Sequence, residues 1–250
     1  MSSVAVPKPI LVAFDGSRPA RAAASVALQI AAGEGLAIRG LYVIDTALVM
    51  DPYANCQPEL GKSPERTSRA DLIADFQRRG EQALTWLADR CRTASVPVTT
   101  AVFMGSVATV VLQEATQATL LTLGRRGHGH VTDGTHLGRH FRAIAHHAPC
   151  PLVVGGDQER ALQRILLAID GGEQAGEALE WATRLQRSLQ AEVFLLTVRQ
   201  PGSKTADEPR EHLLRGVPRD AELPAEEPVR QLAVLLQQVE RRDLVLRQEA

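Results

Sequence analysis

The chain has 250 residues, 44% of them hydrophobic, and a formal net charge of −1, enough for two ordinary domains with real cores. That balance gives no whole-protein reason to expect nucleic acid or an anionic membrane as partner. No apolar run approaches the roughly 20 residues that span a bilayer. Cys56, Cys91 and Cys150 are far apart and lack metal or redox spacing. Residues 1–8 lack the basic-then-apolar pattern of a signal peptide. Both features predict reduced thiols in a cytoplasmic protein.

In chain order, the first strand signal is Ile10-Leu11-Val12-Ala13-Phe14, ending at Asp15-Gly16-Ser17. A continuous apolar run of this kind suits a strand buried on both faces. Pro19 opens a helix at a tolerant position, Ala22, Val26 and Ile30 carry its apolar face, and Gly33 or Gly35 ends it. A second strand covers residues 36–43. Residues 46–67, with Pro52, Pro58, Gly61 and Pro64, read as a long loop before a helix at 68–93. A strand at 96–104, a helix after Gly105-Ser106, a strand at 119–123, a helix at 137–147 and a strand at 151–154 follow. Five strands alternating with four helices predict an α/β fold, a doubly wound parallel sheet in the order 3-2-1-4-5.

The pattern then begins again. Ile165-Leu166-Leu167-Ala168-Ile169-Asp170-Gly171 echoes Ile10-Leu11-Val12-Ala13-Phe14-Asp15-Gly16, with a helix and a strand at 192–198 after it. Such an internal repeat resets the domain count. Residues 200–228 are rich in Pro, Glu and Arg and read as a loop. Residues 229–241 carry Leu232, Leu235, Leu236 and Val239 at helical spacing, and 243–246 suit a short strand. The expected organisation is one complete unit over residues 1–157 and a truncated copy over 158–250, without a glycine loop or a fifth strand.

The stretch that carries chemistry is Gly124-Arg125-Arg126-Gly127-His128-Gly129-His130, at the carboxyl end of the fourth strand. Glycines let backbone amides approach a phosphate, and a following helix presents its positive end. Ligands of open α/β sheets sit outside the carboxyl ends of strands, where strand order reverses. Asp15 and Val43, ending the first and second strands, belong to the same rim. Three distant segments therefore converge on one crevice.

The order of elements, the phrase Val12-Ala13-Phe14-Asp15-Gly16-Ser17 and the closing His147-Ala148-Pro149-Cys150-Pro151-Leu152-Val153-Val154 resemble the universal stress protein family. The resemblance covers residues 7–156 well and 163–199 fairly. It implies ATP binding, with Mg²⁺ accompanying it, in a stress-response binding or signalling protein, and no efficient hydrolysis. It also implies a homodimer built on the last strand's edge. Carried over, Asp15 and Val43 meet the adenine and ribose end, Gly124, Gly127 and Gly138 shape the phosphate loop, and Arg126 and Arg139 flank it. The family's motif places nine residues between the second and third glycines and a serine or threonine after the third. Here ten residues separate Gly127 from Gly138, and the next residue is Arg139. Arg139 either contacts phosphate from the rim or folds into the anion site and fills it.

Six of the seven histidines, His128, His130, His136, His140, His146 and His147, fall within residues 128–147. His136 and His140 are four apart, but a helix start between them and the lack of a further ligand weigh against zinc. With Arg125, Arg126, Arg139 and Arg142 they predict a locally cationic loop suited to an anion. Asp15 has a blander reading, as a cap for the turn into the first helix. No residue set suggests a catalytic group, and Cys150 reads as a buried strand residue. Two rival readings stay open: a partner-binding or structural module without nucleotide, and an α/β nucleotide-dependent enzyme sharing the fold.

Overall fold

The computed structural model describes residues 7–50, 68–127, 138–169, 175–197 and 233–234. The elements are β1 (Ile10–Ala13), α1 (Arg18–Glu34), β2 (Ile38–Asp45), α2 (Thr46–Met50), α3 (Arg69–Thr93), β3 (Val98–Gly105) and α4 (Val107–Ala115). After these come β4 (Leu120–Gly124), α5 (Arg139–His147), β5 (Leu152–Gly155), β6 (Arg164–Ile169), α6 (Ala175–Leu189), β7 (Glu192–Thr197) and β8 (Ala233–Val234). The main sheet runs β3-β2-β1-β4-β5-β8, and β6 and β7 form a second sheet. Its first five strands are parallel and take the expected 3-2-1-4-5 order.

Strand alternation divides the main core in two. Ile10, Val12, Leu120 and Val153 pack against α1 and α3, together with Leu84, Leu87 and Cys91. Leu11, Leu121, Leu123 and Leu152 point the other way, against Val111 and Ala115 of α4 and Ile144 of α5. Successive side chains on a strand leave by opposite faces, so a run apolar at every position is what a two-sided core requires.

The helix α1 lies unusually close to the sheet. Its buried side includes Ala20, Ala23, Ala24, Ala27 and Ala31, small residues that keep the separation short. Ser17 caps its start by accepting the Ala20 amide at 3.3 Å, and Gly35, in the left-handed conformation, closes its end. At the sheet, a methyl group on Gly155 would stand 2.2 Å from the Pro19 carbonyl oxygen and 2.4 Å from the Ala23 nitrogen. One on Gly124 would meet the Ala20 nitrogen at 2.6 Å. Backbone meets backbone at both points, so neither residue can carry a side chain without moving the helix.

The second unit repeats the first with a constant offset. Ile10 pairs with Ile38 in the first sheet, and their counterparts Ile165 and Val193 pair in the second. Ala23, Ala27 and Ile30 of α1 correspond to Ala178, Ala182 and Leu185 of α6, and all six are buried. The copy has only a small core of its own, Leu167, Ala178 and Ala182 with Val193 and Leu195 against them. Ile165, Leu185 and Ala191 belong instead to the core around α1. The contact is reinforced where Arg184 Nε donates to Glu34 Oε1 at 2.8 Å and the Leu162 amide donates to Gln29 Oε1 at 2.8 Å. The outer face of the small sheet is apolar and has no cover among the described residues. Leu166, Phe194 and Leu196 are 44%, 49% and 43% exposed, whereas Leu11 and Leu41, the counterparts of Leu166 and Leu196, are buried under α4 and α5.

Two expectations need correction. Residues 46–50 are the short helix α2, not loop; the Asp45 carboxylate accepts the Ala47 amide at 2.9 Å and starts the turn. Residues 51–67 lie outside the described residues. Ala233–Val234, read from leucine spacing as helix, is a two-residue strand beside Leu152 and Val153 of β5. Pairing with the exposed edge of β5 overrides a local pattern there, and that edge is taken by the chain itself. The rest of residues 229–246 lies outside the described residues.

Replacing Gly155 with alanine should cost about 3 kcal/mol in urea unfolding, through overpacking. Gly156→Ala, where a methyl group meets nothing within 4 Å, should cost little. Burial pushes the thiols of Cys91 and Cys150 up to about 11. In a Cys56→Ser protein at pH 8, Ellman's reagent should therefore find neither thiol in the native state and both after denaturation. Because the folded values are raised, this burial favours the fold fully below pH 9 and progressively less as pH climbs toward 11.

Candidate functional site

The site is assembled from turns at the carboxyl ends of β1, β2 and β4. After β1 the chain turns sharply through Gly16, which has φ +83°. Asp15 Oδ1 accepts the Ser17 amide at 3.0 Å, so this carboxylate does cap the turn, as the simpler reading holds. Its second oxygen faces the other loop: a methyl group on Gly127 would stand 2.9 Å from Asp15 Oδ2. The Ser17 hydroxyl also donates to the Arg126 carbonyl at 3.3 Å. The turns after β1 and β4 are thus joined at the point where strand order reverses.

Val43 lies on β2, the strand beside β1, and packs toward the α4 and α5 side. Its neighbour Tyr42 faces the α1 and α3 side. Burial, and then the charge of Asp15, push the Tyr42 hydroxyl up from its ordinary value.

Gly138 is buried and stands at the N-cap of α5, where a methyl group would lie 3.4 Å from the Arg126 Cα. The structure thus brings Gly138 back beside Gly127 despite the ten intervening residues. Its amide is used internally, donating to the Arg125 carbonyl at 2.9 Å, and the Arg125 amide donates to Gly155 at 3.2 Å. Gly124 is set against the first turn of α1, which explains its lack of a side chain without reference to a ligand. Arg139 opens α5, and its side chain lies outside the described groups.

Three participants were not legible as such in the sequence. Asp45 ends β2 with its side chain only 7% exposed, and His140 Nε2 stands 3.1 Å from its Oδ2. This pair ties the start of α5 to β2 across the rim. His140 therefore faces a carboxylate, and His136, its suggested metal partner, lies outside the described residues. Among the described residues no group of three or more His, Cys, Asp or Glu is placed to hold a metal ion. Ser17, prominent only as the end of a phrase, proves to bridge the two turns.

Asp157, beyond β5, is the third. It accepts from Arg125 at one oxygen and from Arg126 Nη2 at the other, the latter at 3.1 Å. Partial burial pushes its carboxyl up, but the hydrogen bonds from Arg126 and Arg125 outweigh this and hold it below the ordinary range. Both loop arginines are thus paired with one carboxylate; His128, His130, His136 and the Arg139 side chain, which the expected cationic loop also includes, lie outside the described groups. A signal existed in Gly155-Gly156-Asp157, since an acid just past a strand end beside β4 lies within reach of that strand's loop.

Among the described residues no helix is long and apolar enough to cross a membrane. Comparison with curated proteins gives no match. Among solved structures, a universal stress protein from Archaeoglobus fulgidus is similar, with 20% identity over 79% of this chain and 69% of that one and a TM-score of 0.59. UspA from Lactobacillus plantarum matches at 21% identity, 61% and 99% coverage and a TM-score of 0.45. A universal stress protein family protein from Arabidopsis thaliana with AMP bound matches at 20%, 62% and 94%, with a TM-score of 0.40. At such identities the first of these supports the fold alone. The family model described as "Universal stress protein family" matches residues 7–154 and again 161–248. With nearly its whole length matched in two segments, the chain belongs to the universal stress protein family.

Proposed function

We propose that residues 1–157 form a complete domain that binds an adenine nucleotide at this crevice as a ligand, and that 158–250 are a shortened copy without such a site. The protein then acts in stress response as a cytoplasmic binding or signalling module. The observation that carries this reading is the junction of Asp15 with Gly127, with Ser17 bonded to Arg126, at the switch point of the sheet.

The residues fit the group in part. Asp15 lies just past the end of β1 and Val43 two residues before the end of the adjacent β2, the positions this reading assigns to the ribose and adenine end. Gly127 is exposed, so its backbone is open to a phosphate. Gly138 contributes shape, since its amide is already engaged; the amides of Arg126 and Gly127 carry the anion contact in this reading. ATP is the nucleotide the family resemblance suggests, with Mg²⁺ held on its phosphates. The reading assigns no residue to bond cleavage. A bound nucleotide works here by favouring one conformation or assembly over another.

The rival reading, a partner-binding module without nucleotide, draws on one specific observation: the Asp157 carboxylate already occupies both loop arginines. Isothermal titration with ATP, AMP and adenosine, after checking the purified protein for released nucleotide, separates the two. Binding of any of them supports the nucleotide site; no heat and no released nucleotide leaves the module reading. Gly127→Val forces Asp15 aside and should weaken binding at least about tenfold. Asp15 also holds the turn into α1, so a modest fall in the urea midpoint is expected, and binding is compared where both proteins are fully folded. Homodimer formation is part of this proposal, on a surface other than the β5 edge that β8 occupies, and light scattering on the eluting protein should give twice the 27.1 kDa chain mass; the mass of one chain would refute it.

A further inference from the structure

Asp157 lies outside the motif residues and beyond the last strand of the complete unit, yet it meets both arginines of the loop after β4. Its two oxygens are divided between two guanidiniums, as an anion's would be. The contact is held by its surroundings. The Gly155 carbonyl accepts the Arg125 amide, fixing the end of β5 against the loop. Two residues on, Glu159 pairs with Arg90 of α3 at 3.0 Å, and the Arg160 carbonyl accepts from Gln29 at 3.0 Å. The linker is therefore pinned on both sides of Asp157. Arg125 adds a second observation. Its Nε is buried and has no hydrogen-bond partner, although its Nη2 reaches Asp157. One donor of its fork is thus left unsatisfied where Asp157 holds the rest of the guanidinium.

Counting the described charged groups that meet at the two joined turns, Asp15 and Asp157 balance Arg125 and Arg126. A phosphate entering there must compete with a carboxylate already seated between the two guanidiniums. A nucleoside without phosphates pays no such penalty. Each added phosphate charge faces the repulsion of Asp157 more strongly, while the base and ribose end is unaffected.

We propose that Asp157 is a specificity-determining residue that biases the first site toward adenosine or a nucleoside monophosphate and against polyphosphates. This rests on the crevice being a nucleotide site. It narrows the adenine-nucleotide reading to ligands with few phosphates, and so away from ATP.

The test is calorimetric titration of the full chain and of Asp157→Asn with adenosine, AMP and ATP, at two ionic strengths. Asparagine preserves shape and some hydrogen bonding while removing the charge. ATP affinity should rise about three- to tenfold in the variant, AMP affinity less, and adenosine affinity should not change. The ATP gain should shrink at higher salt, and Asp157→Glu should restore the parent's preference. Equal affinities in parent and variant overturn the role of Asp157 and leave the nucleotide site standing. So does the same gain for all three ligands, which indicates a looser loop and no charge selection. If neither protein binds any of the three, the nucleotide reading falls and this inference falls with it. Unchanged urea midpoints in the two variants exclude a folding defect as the cause of any difference.

Discussion

The structure depends on how closely α1 approaches the sheet. An alanine-rich face brings the helix down onto β4 and β5 until backbone nearly meets backbone at Gly124 and Gly155. This closeness fixes where the first turn of α1 sits, and with it Ser17. Ser17 then serves two ends at once, capping the helix and bonding the loop after β4. The geometry of the crevice thus follows from packing some residues away, because a helix displaced outward would part Ser17 from Arg126 and Asp15 from Gly127.

The same helix serves both copies. Its opposite side receives α6, so it is buried on most of its circumference, which is why apolar residues are not confined to a narrow stripe. The core built around it draws residues from both matched segments: Ile165, Leu185 and Ala191 join Ile10, Val12 and Ile30. The second copy keeps the pattern of the first where it faces α1. On the far side, Leu166, Phe194 and Leu196 keep apolar character without an equivalent cover among the described residues.

Much of the fold was legible because its strands are buried on both faces. Runs such as Ile10-Leu11-Val12 and Leu120-Leu121 admit little else, and the alternation with helices gave the sheet order. The candidate site was legible only in part. Asp15, Gly127 and Gly138 were marked by glycine spacing and by strand ends, and the structure brings these three together. Asp45 with His140 and Asp157 with its arginines were not, since each joins residues far apart in sequence through side-chain direction. Periodicity reports which face a residue occupies and says nothing of which charge it meets. The misread segments, α2 and β8, have a related cause. Both are short, and their conformations are set by one tertiary contact: the Asp45 turn in the first case, the β5 edge in the second.

The sharing of α1 bears on how the molecule can be taken apart. A cut in the linker near Asp157 would not release a clean first half. It would strip α6 from α1 and uncover the flank of α1 that Leu185 covers, near where Gly33 meets the Ser188 backbone. It would also leave Glu34 without Arg184. The remnant would carry a sticky helix on its surface, prone to self-association for reasons unrelated to any ligand. Measurements on such a fragment would describe the wound and not the protein.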